Sequence, residues 1–453
     1  MRIVVSRGES LLQAMLRCKV AVDAPCAGKG TCGMCKVQVY GIGQVRACQF
    51  NKPGIYEVKL PEKPAFVTVS GERPLRRDML VVDLGTTIVA IKARINGVEK
   101  QLSFTNPQRS LGADVLSRIA AAEAGHGALL KKLIEEKLWS ALEELLQNAP
   151  TPETETMPQK ARKPDSEALP IVISSNTTMG HLLRGMSVKG LGRAPFSPVT
   201  LELEREKAPL DVAAEVYYLP GISAFVGADL VSGMYDLEMG ERDDLVLLLD
   251  LGTNGEMALG NRQGILVTST SAGPAFEGSE LALSLHASGL LRLLRHMREK
   301  HILDSNGLLQ EPYFAEGYPL ELWNQQYEGL VLTQEMVRDL QLAKAAIRAG
   351  ITLLMQEYKK VGIASDQIEK VYLAGGMGYY IDPSDAAAIG LIPQELVEKC
   401  RAAGNTSLKG AIRFAENVDE ASEKMHRLIG LSRELVLANH EKFEDTYISF
   451  MNF

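Results

Sequence analysis

Cys26, Cys32, Cys35 and Cys48 stand near the amino terminus in a C-x5-C-x2-C-x12-C pattern. Thiolates are soft ligands, suited to zinc or to iron–sulfur chemistry. Four of them supply two ligands to each iron of a [2Fe–2S] cluster. The intervening chain must turn sharply and aim backbone N–H groups at sulfur, and Gly28, Gly30 and Gly33 permit such turns. A zinc ribbon usually shows two C-x2-C pairs. Only one is present here, so the pattern fits a cluster better than zinc. Five of the six cysteines lie in the first 48 residues, too few for a disulfide scaffold at this length. Cys18, just past a short helix, and Cys400 read as small hydrophobes.

A second kind of chemistry is written in two similar strings. Met79-Leu-Val-Val-Asp83-Leu-Gly85-Thr86-Thr87-Ile-Val-Ala-Ile-Lys92 is an apolar strand, a tight turn and another strand. Leu245-Val-Leu-Leu-Leu-Asp250-Leu-Gly252-Thr253-Asn254-Gly-Glu256 repeats the arrangement 167 residues later. A hairpin tip of this kind offers N–H groups and hydroxyls to phosphate oxygens. An Asp at the strand end suits Mg²⁺, usually through water. Two copies predict two related lobes, each giving a hairpin to one nucleotide. A third string, Ile368-Glu-Lys-Val-Tyr-Leu-Ala374-Gly375-Gly376-Met377-Gly378, runs a strand into glycines that let backbone lie against a purine and ribose. Gly273, in the small-residue loop Ser271-Ala-Gly-Pro-Ala-Phe-Glu-Gly278, is a further candidate at the nucleotide. No Walker-type G-x-x-x-x-G-K-[ST] string occurs.

The elements that must position these residues follow from periodicity. Arg2–Val5, Lys36–Tyr40, Tyr56–Leu60 and Phe66–Val69 read as strands, with a helix over Ser10–Arg17. Asn106–Arg118 reads as a loop entering a helix, and Leu129–Leu146 and Gln334–Glu357 as helices. Asn176 is a candidate helix cap, and His181 reads as structural. The Pro-rich, charged stretch 148–168 predicts a mobile loop. The domains expected are 1–72 for the cysteine module, 73–78 as linker, 79–245 as the first lobe and 246–453 as the second.

With 453 residues the chain has room for two to four domains. A net charge of −7 argues against nucleic acid as a partner. No run of 18 apolar residues predicts a membrane span, and the start lacks a signal-peptide core. A cytoplasmic setting is expected.

The Asp-hairpin, Asp-hairpin, glycine-loop order resembles the superfamily of acetate kinase, sugar kinases, Hsp70 and actin (ASKHA). The five-residue gap after Cys26 resembles the bacterial and adrenodoxin-like ferredoxin spacing. The fold expected is α/β: an amino-terminal ferredoxin-like (β-grasp) [2Fe–2S] domain plus a two-lobed actin-like ATPase domain of ribonuclease H-like lobes. That pairing resembles the ATP-dependent reductive activators of corrinoid proteins. The matching strings include Gly112–Arg118, Asn176–His181, Phe225–Asp229, Ala272–Gly278, Leu342–Ile347 and Gly404–Leu408. The resemblance implies an ATP-hydrolysing iron–sulfur reductase that passes a low-potential electron to an inactive Co(II) corrinoid protein of a methyltransferase system, restoring Co(I). It implies Cys26, Cys32, Cys35 and Cys48 on the cluster, and Asp83 and Asp250 on Mg²⁺ and water. It places Gly85, Thr86, Thr87, Gly252, Thr253 and Asn254 on phosphates, and Gly375 and Gly376 on adenosine. A low-potential electron donor and a homodimer are also implied. Two alternatives keep ATP but change the outcome: electron delivery to another iron–sulfur enzyme, or a redox-sensing, chaperone-like binder. Compared with longer members, a middle domain looks missing and the stretch after Gly278 looks shortened.

Overall fold

The structure, a computed structural model, describes the chain except residues 19, 21, 25, 31–33, 61–72, 149–167, 277–279 and 361–366. Cys32, the expected strand Phe66–Val69 and the expected mobile loop fall outside the described residues. The chain forms two compact units. One comprises Met1–Asp236 with Ser407–His426, the other Leu237–Thr406 with Arg427–Phe453.

The first unit opens with the cysteine module. Strands β1 (Arg2–Val5), β2 (Lys36–Val39), β3 (Gly43–Arg46) and β4 (Gly54–Lys59) form one sheet in the order β1-β4-β2-β3. Helix α1 (Leu11–Arg17) starts at Ser10, whose side chain and that of Gln13 form a reciprocal capping box. Leu11, Leu12, Ala14 and Met15 of α1 pack on Ile3, Val5, Val37 and Val39, the inward positions of alternating strands. Strand β3 is additional to the expected set. It begins at a glycine and alternates only weakly, so periodicity misses it.

The linker is strapped down. Lys92 Nζ donates to the Arg73 carbonyl at 2.7 Å, and Arg94 donates to the Leu75 carbonyl at 2.9 Å. The Leu75 N–H donates to Glu99 at 2.7 Å.

The second sheet of this unit comprises β5 (Met79–Leu84), β6 (Ile88–Ile95), β7 (Val98–Thr105), β8 (Leu169–Ser175), β9 (Glu204–Lys207) and β10 (Ala214–Tyr218). Its order is β7-β6-β5-β8-β10-β9. Strands β5, β6 and β7 are an antiparallel meander, while β5, β8 and β10 run parallel. Strand β5 is apolar almost throughout because both its faces are covered. Helices α2 (Val115–Ala121), α3 (Gly127–Gln147), α4 (Thr177–Arg184) and α5 (Ala228–Asp236) belong to this unit.

The other unit repeats the pattern. Strands β11 (Leu245–Leu251), β12 (Asn254–Asn261) and β13 (Gly264–Ser271) form the meander. A small hairpin, β14 (Tyr318–Pro319) with β15 (Val331–Leu332), stands apart. Strands β16 (Ile368–Ala374), β17 (Cys400–Gly404) and β18 (Ser432–Glu434) complete the sheet β17-β16-β11-β12-β13-β18. In each unit the Asp-bearing strand has its own meander on one side and a parallel strand on the other. That shared topology is the duplicated ASKHA fold, read from sequence as two Asp-Leu-Gly-Thr strings. The long helix Gln334–Lys360 packs its Ala- and Leu-rich face into the core of this unit.

Segment Ser407–His426 joins the first unit, although it follows most of the second in sequence. Its Arg413 donates to the carbonyl of Tyr235 at 2.9 Å, and Phe414 lies beside Tyr217. These long-range contacts leave no local signature. Among the described residues no helix is long and apolar enough to cross a membrane.

Candidate functional site

The cysteine loop is held from three directions. Ala27, Gly28 and Gly30 all adopt positive φ, which curls the chain after Cys26. A Cβ on Gly30 would lie 2.0 Å from the Gln49 side chain, so the loop rests directly on the Cys48 segment. The Ala47 N–H donates to the Cys35 carbonyl at 2.8 Å, and the Cys48 N–H donates to Cys35 Sγ at 3.4 Å. An N–H aimed at a thiolate sulfur lowers the cost of its charge and tunes a bound cluster. Cys35 is buried, and Cys26 and Cys48 are partly buried. Cys32 lies outside the described residues. Among the described residues no three His, Cys, Asp or Glu side chains close on a common point by themselves. The donor set of thiolates in a glycine loop with N–H···S support nonetheless fits an iron–sulfur group.

Cys18 caps α1 and is exposed, which corrects its reading as a buried hydrophobe. A helix this short ends at the module surface, so its last residue faces water. Cys400 is buried, donates to the Leu396 carbonyl at 3.3 Å, and burial pushes its thiol up to about 11.

The first Asp-hairpin is fixed by a polar frame. Thr86 and Thr87 are buried at its tip. Asn106 Nδ2 donates to the Gly85 carbonyl at 2.9 Å, and Asn176 Nδ2 donates to Thr86 Oγ1 at 2.9 Å. Arg118 is fully buried and donates to the Thr86 carbonyl at 2.5 Å and the Gly112 carbonyl at 3.1 Å. Burial, and secondarily Arg109, push its guanidinium down to about 9, so it stays charged at neutral pH beneath the hairpin. Asn176 also caps α4, accepting from the Met179 N–H at 2.9 Å, as its position predicted. His181 accepts from the Val199 N–H at Nε2, leaving Nδ1 to donate to the Thr177 carbonyl at 2.7 Å. With both nitrogens committed and burial lowering its pKa, it is a neutral structural residue.

Asp83 sits at the carboxyl end of β5, opposite Ser174 of β8. Ser407 Oγ donates to Asp83 Oδ1 at 2.8 Å and lies 2.9 Å from Ser174 Oγ. Asp229, at the start of α5, is pushed up to about 7 by burial and then by the Asp83 charge. Ser407 and Asp229 are therefore members of this site that residue-by-residue reading missed. Both lie in strings read only as family matches, and their convergence on Asp83 needed the fold. Because the folded state binds the Asp229 proton more tightly than the unfolded state, stability falls as pH rises from the ordinary carboxylate range to about 7. Asp229→Asn, without nucleotide or metal, is expected to gain on the order of 2 kcal/mol more stability at pH 8 than at pH 5. Chemical denaturation at both pH values measures this, and equal effects at the two would refute the shift.

In the other unit Asp250 ends β11 opposite Ala374, the residue before Gly375. Gly375 has φ +80, and a Cβ there would lie 2.3 Å from Asp250 Oδ1 and 2.6 Å from the Leu251 carbonyl oxygen. The glycine loop thus presses directly on the Asp250 turn. Gly376 is exposed beside it. The Gly252 N–H donates to the Asn254 carbonyl at 2.9 Å, closing the hairpin over buried Thr253. Asn254 pairs with Ser271, and Gly273 follows in a tight turn with φ +69. Asp250, Gly252, Thr253, Asn254, Gly273, Gly375 and Gly376 are therefore gathered at one end of one sheet. Loop ends beyond the carboxyl ends of parallel strands are where α/β folds bind ligands. Gly375 lets the loop pack against the Asp250 turn, and the exposed backbone at Gly376 beside it fits a nucleotide lying on backbone.

Residues 1–50 match a family model described as a 2Fe-2S iron-sulfur cluster binding domain. Residues 79–242 match the RACo middle region, and 244–288 with 280–453 match the C-terminal domain of RACo, the ASKHA domain. The expectation of a missing middle domain is therefore corrected: the middle region is present and is the first Asp-hairpin sheet. A "Corrinoid activation enzyme RamQ" of Eubacterium limosum is 28% identical over 425 residues, 82% of this chain and 69% of the relative. A "[Co(II) methylated amine-specific corrinoid protein] reductase" of Methanosarcina barkeri is 25% identical, over 53% of this chain and 52% of the relative. A solved "Reductive activator for corrinoid,iron-sulfur protein" superposes with a TM-score of 0.70 at 21% identity, covering 100% of this chain and 96% of the other.

Proposed function

The chain belongs to the RACo family, and from that premise we propose that it is an ATP-dependent reductive activator, returning an inactive Co(II) corrinoid protein of a methyltransferase system to Co(I). One observation carries the link between ATP and electron delivery. The cysteine module and the first Asp-hairpin share a compact unit and are joined by a partly buried ion pair. Arg109, 2% exposed, donates to Asp23 of the cysteine module, Nε to Oδ1 at 2.9 Å. Gln108 beside it accepts from Arg118 at 3.2 Å, and Arg118 holds Thr86. Leu16 of α1 also packs against the core of the first lobe. A metabolite kinase has no need of that junction.

Bound on Cys26, Cys32, Cys35 and Cys48, a [2Fe–2S] cluster supplies one-electron redox chemistry. The chain's part is to hold its thiolates, with Cys48 N–H supporting Cys35, and to keep the module seated through Asp23 and Arg109. We assign Asp83 and Asp250 to Mg²⁺ and water at ATP, with Asp229 and Ser407 supporting Asp83. Gly85, Thr86, Thr87, Gly252, Thr253 and Asn254 are assigned to phosphates, and Gly273, Gly375 and Gly376 to the nucleotide loops. Phosphoryl transfer needs mainly positioning and charge stabilisation, and Arg118 supplies fixed positive charge behind the first hairpin. ATP can drive an unfavourable electron only by favouring one conformation of the partner complex over another. The resemblance that implies a donor of low potential also implies a homodimer, which light scattering would detect.

Mixing the protein with a Co(II) corrinoid protein, a reductant and ATP should yield the Co(I) spectrum, and leaving out ATP should abolish it. ATP turnover without Co(I) would favour the chaperone-like alternative. Bleaching of an iron–sulfur acceptor in place of Co(I) would favour the other.

A further inference from the structure

The charge of the chain is divided unevenly. Residues 1–60 hold nine Lys or Arg against three Asp or Glu, a net +6, within a chain whose total is −7. Two of those three acids are committed internally, Glu9 to Arg17 and Asp23 to Arg109. Lys36, Arg46 and Lys59 lie on the outward side of the small sheet, where the third acid, Glu57, stands opposite Arg2. Lys36 is paired directly opposite Arg46, and Gln38, next outward on β2, is opposite Lys59. Strand register thus sets two cations directly across from each other, which concentrates positive charge at this end of the sheet. Lys36 immediately follows Cys35, Arg46 lies two residues before Cys48, and exposed Lys29 stands in the loop between Cys26 and Cys32. These cations therefore flank the cysteine-bearing segments along the chain.

We propose that this face is the docking surface for an acidic one-electron carrier protein that delivers the reducing electron. The inference rests on the electron-transfer reading above. Because residues 61–453 carry the remaining −13, an acidic protein is repelled elsewhere and oriented toward the cysteine loop. Such steering speeds encounter more than it strengthens binding, which suits a carrier that must leave after each electron. One electron leaves the carrier's reduced centre and one enters the cluster. No bond is made or broken and no proton moves in that step.

The test uses the full chain and an acidic flavodoxin as probe, photoreduced to its hydroquinone. Stopped-flow reduction of the cluster should slow about tenfold or more between low and near-physiological salt. At low salt K36E/R46E should slow it by a similar factor, and K36Q/R46Q by less, with the cluster spectrum unchanged. Calorimetric binding of oxidised flavodoxin should weaken in parallel, whereas Lys359→Glu in the other unit should change neither. Reduction by methyl viologen radical, a small cation, should not be slowed in the variants. Reduction by flavodoxin that ignores salt and both double variants would overturn the docking face. So would tighter binding of a DNA oligonucleotide that blocks flavodoxin. Either result would leave the electron-transfer reading standing as long as methyl viologen still reduces the cluster.

Discussion

Replacing Cys35 with serine is expected to remove the visible iron–sulfur absorbance of the purified protein and, with it, all ATP-dependent Co(I) formation. Cys35 is firmly anchored. It is 1% exposed, its carbonyl accepts from Ala47, and its sulfur accepts from the Cys48 N–H. A serine oxygen is a harder, less ionised ligand than a thiolate, so a soft iron–sulfur site loses most of its affinity. The same substitution removes a sulfur from a core that includes Val37, Val39 and Ala47, but leaves the hydrogen-bonded loop in place. ATP hydrolysis should therefore survive at close to its basal rate. Cys18→Ser is the internal control: the residue is exposed at the end of α1 and should leave iron content unchanged. Iron and sulfide analysis with the absorption spectrum decides the matter. A protein that keeps its cluster without Cys35, or one that binds zinc alone, would refute the ligand assignment.

Substituting Gly375 by valine is expected to lower ATP affinity by about a hundredfold or more, equivalent to roughly 3 kcal/mol. The position needs φ +80, which a β-branched residue avoids, and its Cβ would collide with Asp250 and the Leu251 carbonyl. The loop would have to move off the Asp250 turn, spoiling the surface for the nucleotide and the carboxylate together. Asp250→Asn separates the two contributions. It keeps the steric outline of the loop, so ATP should still bind within about tenfold, while turnover falls by about a hundredfold because a fixed charge is lost where phosphate charge develops. Equilibrium binding of a fluorescent ATP analogue and steady-state hydrolysis report the two effects. Near-normal affinity in Gly375→Val would show that this loop does not carry the nucleotide. Iron content should be unchanged in both variants, because the cysteine module belongs to the other compact unit.

The sequence by itself determined the chemistry available and the local elements that present it. Cysteine spacing with interleaved glycines predicted the iron–sulfur group, and two strands ending in Asp-Leu-Gly-Thr predicted paired lobes. These were legible because they are local: a turn needs its glycine, and a strand covered on both faces is apolar along its length. Helix α1 and the Asn176 cap were legible for the same reason. The tertiary structure decided what converges. Ser407 reaches Asp83 across 324 residues of sequence, Asp229 acquires a raised pKa only from burial beside that carboxylate, and segment Ser407–His426 returns to the first unit. Asp23 and Arg109 meet across 86 residues, and the opposition of Lys36 and Arg46 is a matter of strand register. None of these leaves a periodic trace, because pairing between distant segments is set by how whole sheets and helices pack. The sequence names the groups that can do the chemistry, and the packing of those elements decides which of them act together.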